Sequence, residues 1–123
     1  PTDAPAAGGG PTGGRGTDVA NVRTEGIEFP YPGYLQNIVR QIALRFKPPQ
    51  CAVCRAEVRF LIQRDGSVTE IQVAQRSGMF AFDLEARAAI EAAGNQLAFG
   101  PLPTGFPDDA LTIRFSFDPR VIR

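Results

Sequence analysis

Two cysteines are the side chains in this chain whose type and spacing suggest redox or metal chemistry. Cys51 and Cys54 form the sequence Cys-Ala-Val-Cys, and the 123 residues contain no histidine. A c-type haem attachment needs a histidine directly after the second cysteine, where Arg55 stands, and a structural zinc site needs two further Cys or His ligands. The sequence therefore predicts no metal ion, haem or other cofactor.

The sequence leaves three states of the cysteine pair open. Cα atoms three residues apart in an extended strand lie about 10 Å from each other, beyond the roughly 7 Å that a disulfide spans, so a disulfide requires a turn at Ala52-Val53. Such a bond forms in an oxidising compartment and closes only a short loop, which stabilises modestly. The alternatives are two free thiols or a redox pair, although a thioredoxin-like pair opens a helix and this one precedes a strand.

The carboxylates do not suggest acid–base catalysis. Histidine, the commonest general base, is absent. Asp65 is placed to form a turn, Asp83 and Glu85 to begin a helix, and Asp108 and Asp109 lie in a connecting loop. Each acidic group thus has a structural explanation, and we predict that the chain is not an enzyme.

Charge and hydropathy exclude two classes of partner. Thirteen lysines and arginines balance 13 aspartates and glutamates, whereas a nucleic-acid-binding domain needs a basic face to displace counterions. No window of 18 apolar residues exists that could span a membrane. We therefore expect a protein partner and no nucleic acid, and we expect any membrane anchor to lie upstream of this chain.

The start of the chain differs in composition from the rest. Residues 1–25 are rich in proline, glycine, alanine and threonine, and such a segment cannot bury enough apolar surface to offset its ordering entropy. We predict a disordered linker over 1–25 and one folded domain over 26–123, which is long enough for a single modest core.

Residues 34–46 have the pattern of an amphipathic helix. Tyr31-Pro32-Gly33 forms a turn-like entry to it, and Pro48-Pro49 stop it because neither proline can donate to the helix ladder. Apolar side chains recur at the spacing of one helix face. The stripe consists of Leu35, Ile38, Val39, Ile42 and Phe46.

The dipeptide Asp65-Gly66 separates two runs that alternate between apolar and polar residues, which predicts a β-hairpin. We expect a two-residue type I′ loop, whose register places Val58 opposite Val73 and Phe60 opposite Ile71. A second helix follows, which we expect Gly94 to end in a left-handed conformation. Its predicted buried stripe is Phe82, Ala86, Ala89, Ile90 and Ala93.

The last alternating run completes the fold prediction. Residues 111–117 turn Thr112, Arg114 and Ser116 to one side and apolar residues to the other. The order α-β-β-α-β predicts an α+β fold, in which a three-stranded antiparallel sheet carries both helices on one face behind a disordered Pro/Gly linker. The last strand should pair with the first strand of the hairpin and leave a backbone edge open.

The order of these features resembles the C-terminal periplasmic domain of TonB- and TolA-type energy transducers. The likeness spans residues 31–118. It comprises an alternating strand, the Asp65-Gly66 turn, a second strand that ends at Ser77-Gly78, a helix opened by Phe82-Asp83, and the last alternating strand. The resemblance implies a periplasmic module that a proline-rich segment tethers to the inner membrane.

The resemblance also implies a function. A domain of this kind would be a non-enzymatic adaptor that binds a partner by adding a strand to its sheet, and Thr112, Arg114 and Ser116 would flank the added strand. The partner would be an envelope protein: an outer-membrane receptor, a Tol-Pal-like component or a large inner-membrane complex. The alternative is a domain retained as a static accessory subunit of a large respiratory or photosynthetic membrane complex.

Overall fold

The computed structural model describes residues 22–25 and 28–118. These residues form helices α1 (Pro32–Arg45) and α2 (Phe80–Asn95), and strands β1 (Val22–Thr24), β2 (Ala56–Gln63), β3 (Val68–Gln75) and β4 (Ala110–Phe117). The strands form one antiparallel sheet in the order β1-β4-β2-β3. The predicted α+β class with two helices and an antiparallel sheet is confirmed. In the described part of the chain, no helix is long and apolar enough to cross a membrane.

The predicted count of three strands and the predicted element order α-β-β-α-β are wrong, because β1 adds a fourth strand ahead of α1. It lies in the segment that the sequence assigned to the linker, and it pairs with the outer edge of β4, with Val22 opposite Phe115 and Thr24 opposite Ile113. Val22 is fully buried, so the strand is anchored in the core by one side chain. Three residues are too few to show an alternating pattern in the sequence. Residues 1–21 of the predicted linker lie outside the described residues.

The alternation of β2 and β4 buries one face of the sheet against the helices. Every second residue of both strands is buried. These residues are Ala56, Val58, Phe60 and Ile62 of β2, and Leu111, Ile113, Phe115 and Phe117 of β4. From α1, Leu35, Ile38 and Ile42 cover them. Phe46, just beyond the helix, packs its ring against Phe82 at 5.4 Å and Phe117 at 4.7 Å between ring centroids.

The hairpin is present, but its loop has three residues instead of the predicted two. Gly66 donates its N–H to the carbonyl of Gln63, and Gln63 donates to the carbonyl of Ser67, both at 2.8 Å. Among the described residues Gly66 has a positive φ of 94° and Asp65 does not, whereas a type I′ turn needs both. The Asp65 carboxylate instead accepts the Ser67 N–H at 2.9 Å. The two-residue type I′ loop and the three-residue loop both favour Asp followed by Gly, so the sequence does not distinguish between them.

The register of the hairpin changes along its length. Ile62 pairs with Val68 next to the turn, one residue away from the predicted register. An irregularity that contains Glu70, with φ of 54°, restores the predicted pairing of Val58 with Val73. Phe60 and Ile71 fall at this irregularity and do not form the predicted pair. A bulge of this kind inserts an extra residue into one strand and bends it, here in β3.

Gly94 does not end α2, as the sequence predicted, but lies inside it. The helix runs to Asn95, and it is Leu97 that takes the left-handed conformation, with φ of 52°. A Cβ atom at Gly94 would lie 2.7 Å from the Cβ of Val68 in β3. The glycine is therefore needed for the close approach of helix and sheet. The predicted buried stripe of α2 is confirmed, since Phe82, Ala86, Ala89, Ile90 and Ala93 are all buried.

We predict that Gly94→Ala destabilises the domain by about 1–3 kcal/mol, because the new methyl group must displace a strand that is already packed against the helix. The free energy of unfolding from urea denaturation measures this. Gly33→Ala is the matched control, since it lies in α1 with nothing within 4 Å of its Cβ position. That variant should be neutral or slightly stabilising, because alanine has the higher helix propensity.

The double variant Gly94→Ala/Val68→Gly tests the cause of the loss. Removing the Val68 side chain, including the Cβ that lies 2.7 Å from the new methyl group, makes room for it, so the double variant should be more stable than the sum of the two single changes predicts. Strictly additive effects would contradict a clash between these two residues.

Candidate functional site

The face of the sheet opposite the helices carries a network of ion pairs, which we call the charged cluster. It joins β1, β4 and β2 through side chains that alternate with the buried ones. The members are Arg23, Glu25, Glu57, Arg59 and Arg114. Three guanidinium groups thus share two carboxylates, which leaves the cluster with one excess positive charge.

Glu25 is the link between β1 and the rest of the sheet. Its Oε1 accepts from Arg59 Nε and its Oε2 accepts from Arg114 Nε, both at 2.7 Å. Its backbone N–H also donates to the carbonyl of Thr112 at 3.1 Å. The hydrogen bond from Arg59, followed by that from Arg114, holds the pKa of the Glu25 carboxyl below its usual range. The charged form of Glu25 therefore stabilises the docking of β1.

Arg114 is the hub of the cluster on β4. Besides Glu25, it donates from Nη1 to Glu57 Oε1 at 2.9 Å. Glu57 also accepts from Arg23 Nη2 at 3.0 Å. The hydrogen bond to Glu25, with the charge of Glu57 as the next cause, raises the pKa of Arg114. Glu25, Arg59 and Arg114 are each about one-third exposed, so the network is accessible from solvent.

The three predicted partner-binding residues lie together on this face of β4. Thr112, Arg114 and Ser116 are half-buried and alternate with the buried side chains, as the pattern predicted. The backbone edge beside them differs from the expectation of an open border, because β1 pairs with residues 113–115. Sequence reasoning missed Glu25 since it lies in the predicted linker, where nothing marks it as a partner of Arg114.

The other edge of the sheet borders a second surface feature, which we call the β3–α2 groove. Within the described sheet, β3 pairs with a strand on one side only. A groove of about 750 Å³ lies between it and α2. Its lining residues are Ile71, Gln72, Val73, Arg76, Gly78, Phe80, Asp83, Leu84 and Arg87. Phe80 and Leu84 are 79% and 51% exposed, and their i, i+4 spacing off the buried stripe is the sequence signal that could have found them.

Cys51 and Cys54 form a disulfide bond, with their Cα atoms 5.5 Å apart. Ala52 and Val53 form the turn that brings them together. Cys54 is buried in the core, whereas Val53 at the tip of the turn is exposed. The bond therefore closes the connection between α1 and β2 at the point where the chain enters the sheet. Among the described residues, no cluster of metal-ligating side chains is present.

Comparison with known proteins identifies the fold. The model of the family described as "TonB C terminal" matches residues 30–117. The NMR structure of a Helicobacter pylori TonB C-terminal domain has a TM-score of 0.54 at 23% identity and covers 76% of this chain and 82% of its own. A shorter form of that domain has a TM-score of 0.49 at 26% identity, with 69% and 92% covered. No curated protein matches the chain.

We predict that replacing both cysteines by alanine lowers the free energy of unfolding by no more than about 2 kcal/mol, because the closed loop is short. Urea denaturation of the double variant measures this. Partner binding should be retained if the bond only supports the fold. Loss of binding by a variant that remains folded would instead favour the redox interpretation.

The pKa of Glu25 predicts a dependence of β1 on pH. Because its folded-state value lies below the unfolded value, the ion pairs stabilise the fold above the unfolded pKa, and this contribution is lost as the pH falls through the folded-state value. NMR spectra between about pH 7 and about pH 2 should therefore show the amides of Val22–Thr24 losing their strand positions at the acid end.

Glu25→Gln is the control for this titration. Its β1 amides should respond less to acid than those of the unsubstituted chain, because the Glu25 carboxylate is gone while the ion pair between Arg23 and Glu57 remains. Residue-resolved spectra are needed, since the pKa of Asp65 is also lowered, by its bonds to Ser67. An unchanged acid response of β1 in Glu25→Gln would contradict the assignment.

Proposed function

This chain belongs to the TonB C-terminal family, and we propose that it is an envelope adaptor that binds an extended segment of a partner protein along the outer edge of β4. Domains of this family are non-enzymatic, periplasmic interaction modules. The added strand, the identity of the partner and a tether to the inner membrane through residues 1–25 are parts of the proposal. The partner is an outer-membrane receptor, a Tol-Pal-like component or a large inner-membrane complex.

The observation that carries the proposal is the pairing of β1 with β4. It is an intramolecular example of strand addition at this edge, in antiparallel register at three positions. β4 has eight residues, whereas β1 has three. A partner segment of six to eight residues would therefore form a longer ladder than the one it replaces, and main-chain hydrogen bonds supply the grip in such complexes.

The attachment of β1 is weak enough to be exchanged. Besides its short ladder, it is held by the buried Val22 side chain and by ion pairs of Arg23 and Glu25. Ion pairs between side chains that water reaches contribute little to stability, because the solvent screens them. A partner segment that forms more backbone hydrogen bonds can therefore displace β1, because the additional bonds offset the free energy lost when β1 detaches.

The side chains of Thr112, Arg114 and Ser116 would flank the bound segment. When β1 leaves, Arg114 and Arg59 lose Glu25 and present two guanidinium groups on one face of the sheet. A carboxylate in the partner segment would restore their charge-assisted hydrogen bonds. We therefore expect the segment to carry an acidic residue on the same face as these two arginines.

A peptide titration tests the exchange. We expect a synthetic extended peptide of about ten residues from an outer-membrane receptor to shift the amide resonances of residues 110–117 and release those of Val22–Thr24. Unchanged resonances along 110–117 across several such peptides would exclude this docking mode. That result would favour the static accessory subunit, which needs no exchange of β1.

Glu25→Gln should raise the affinity for such a peptide about twofold to tenfold, because it loosens β1 and raises the fraction of molecules with a free β4 edge. Glu28→Gln is the matched control, since Glu28 is an exposed carboxylate for which the described residues provide no ion pair. Equal affinities of the two variants would contradict competition between β1 and the partner.

A further inference from the structure

We propose that the β3–α2 groove is a second peptide-binding site, for an extended segment of a partner protein with apolar side chains at alternate positions and an acidic residue. It lies at the sheet edge opposite β1. The proposal is therefore independent of strand exchange at β4, and the two sites can be tested separately.

The groove offers backbone groups for pairing. Arg87 in α2 donates from Nη1 to the carbonyl of Ile71 at 3.0 Å, so this carbonyl points out of the sheet towards the helix. Backbone groups of a strand alternate in direction, and Val73, two residues further on, turns its N–H and C=O the same way. The register agrees with this orientation. Gln72, which lies between Ile71 and Val73, pairs with Arg59 across the hairpin. An extended peptide would find an amide and two carbonyls along this edge.

The groove also offers apolar walls on two sides. Phe80 and Leu84 form the helix wall and are 79% and 51% exposed. Ile71 and Val73 form the strand wall and are partly buried against the core. Scattered exposed apolar residues need no explanation, but a contiguous set inside a concave surface marks a binding site. A strand edge beside a helix is a geometry that recognises extended peptides, through main-chain bonds to the strand and side-chain pockets against the helix.

The charges select the chemistry of the peptide. Asp83 is 8% exposed, and its carboxylate already accepts the N–H of Ser77 at 3.0 Å. Arg76 is exposed, and Arg87 is 44% exposed with Glu91 as its ion-pair partner. The charge available to a ligand in the groove is therefore positive. An acidic side chain of the peptide would take the place of Glu91 at Arg87 Nε. The carbonyl of Ile71 accepts from Arg87 Nη1, and its second lone pair remains for a hydrogen bond from the peptide.

A protein segment fits these observations better than a lipid surface. Anionic headgroups would also match Arg76 and Arg87, but a bilayer is broad and does not enter a groove between a strand and a helix. It also has no backbone to pair with β3. The concave shape and the edge carbonyls therefore favour an extended polypeptide.

Selection from a displayed library of random linear ten-residue peptides, with the full chain as bait, tests the proposal. We expect enriched sequences with apolar residues at alternate positions and at least one Asp or Glu. Their binding should weaken about tenfold or more in Leu84→Ser and in Phe80→Ser, as expected for truncation of a central apolar contact. Bound peptides should shift the amide resonances of residues 71–73.

Leu44→Ser is the matched control, because Leu44 is a helical leucine on α1 that is 64% exposed and outside the groove. It should bind the selected peptides within about twofold of the unsubstituted chain. The receptor peptide proposed to bind at β4 should retain its affinity for Leu84→Ser. This result distinguishes loss of binding in the β3–α2 groove from loss of binding at the β4 edge.

Three results would overturn the proposal. The first is a selection without any peptide whose binding depends on Leu84. The second is self-association of the chain, measured by analytical ultracentrifugation, that Leu84→Ser abolishes, because the occupant would then be a second copy. The third is binding to phosphatidylglycerol vesicles that Leu84→Ser abolishes while no selected peptide competes, because the occupant would then be a membrane.

Discussion

The pairing of β2 with β4 is the interaction on which the rest of the structure depends. It joins eight consecutive residue pairs without an irregularity, from Ala56 with Phe117 to Gln63 with Ala110. Because side chains alternate with a period of two, this one register assigns the buried residues to the helix side and the charged residues to the other. A slip of β4 by one residue against β2 would place Arg114 in the core, where unpaired charges are very costly. The register therefore has no competitor close in energy.

The central pair leaves two sheet edges, the outer edge of β4 and the outer edge of β3. A different feature protects each edge from pairing with another chain. Exposed strand edges invite unwanted pairing, and native sheets blunt them with short strands, bulges and charged side chains. On the β4 side, the short strand β1 covers the edge, and the charged cluster holds it in place. On the β3 side, the edge is protected by a bulge at Glu70 and the side chain of Arg87 on the carbonyl of Ile71. The protection of both edges depends partly on exposed side chains, which a competing ligand can displace with little loss of free energy.

The parts of this fold that the sequence predicted are those with long patterns. The stripes of both helices and the alternation of β2 and β4 repeat over many residues, and burial of one face fixes their structure. The failures have other causes, and one of them is that a single residue type can have several structural uses. Glycine permits a left-handed turn or a close contact, and Gly94 serves the second purpose. The charged side of β4 was predictable, but Glu25 depends on a contact 89 residues away along the chain, which no local pattern encodes.

The proposed strand exchange would have a consequence for the strength of binding. If a partner segment replaced β1, hydrogen bonds within the chain would be exchanged for hydrogen bonds to the partner, and a carboxylate of the partner would replace that of Glu25. The net free energy then depends on the difference between the two strands, because the shared contacts cancel. The extra length of the partner and its other side chains must offset both the release of Val22 from the core and the loss of translational freedom. Such a balance favours reversible binding of moderate affinity, and it makes affinity depend on how firmly the chain's own strand is held.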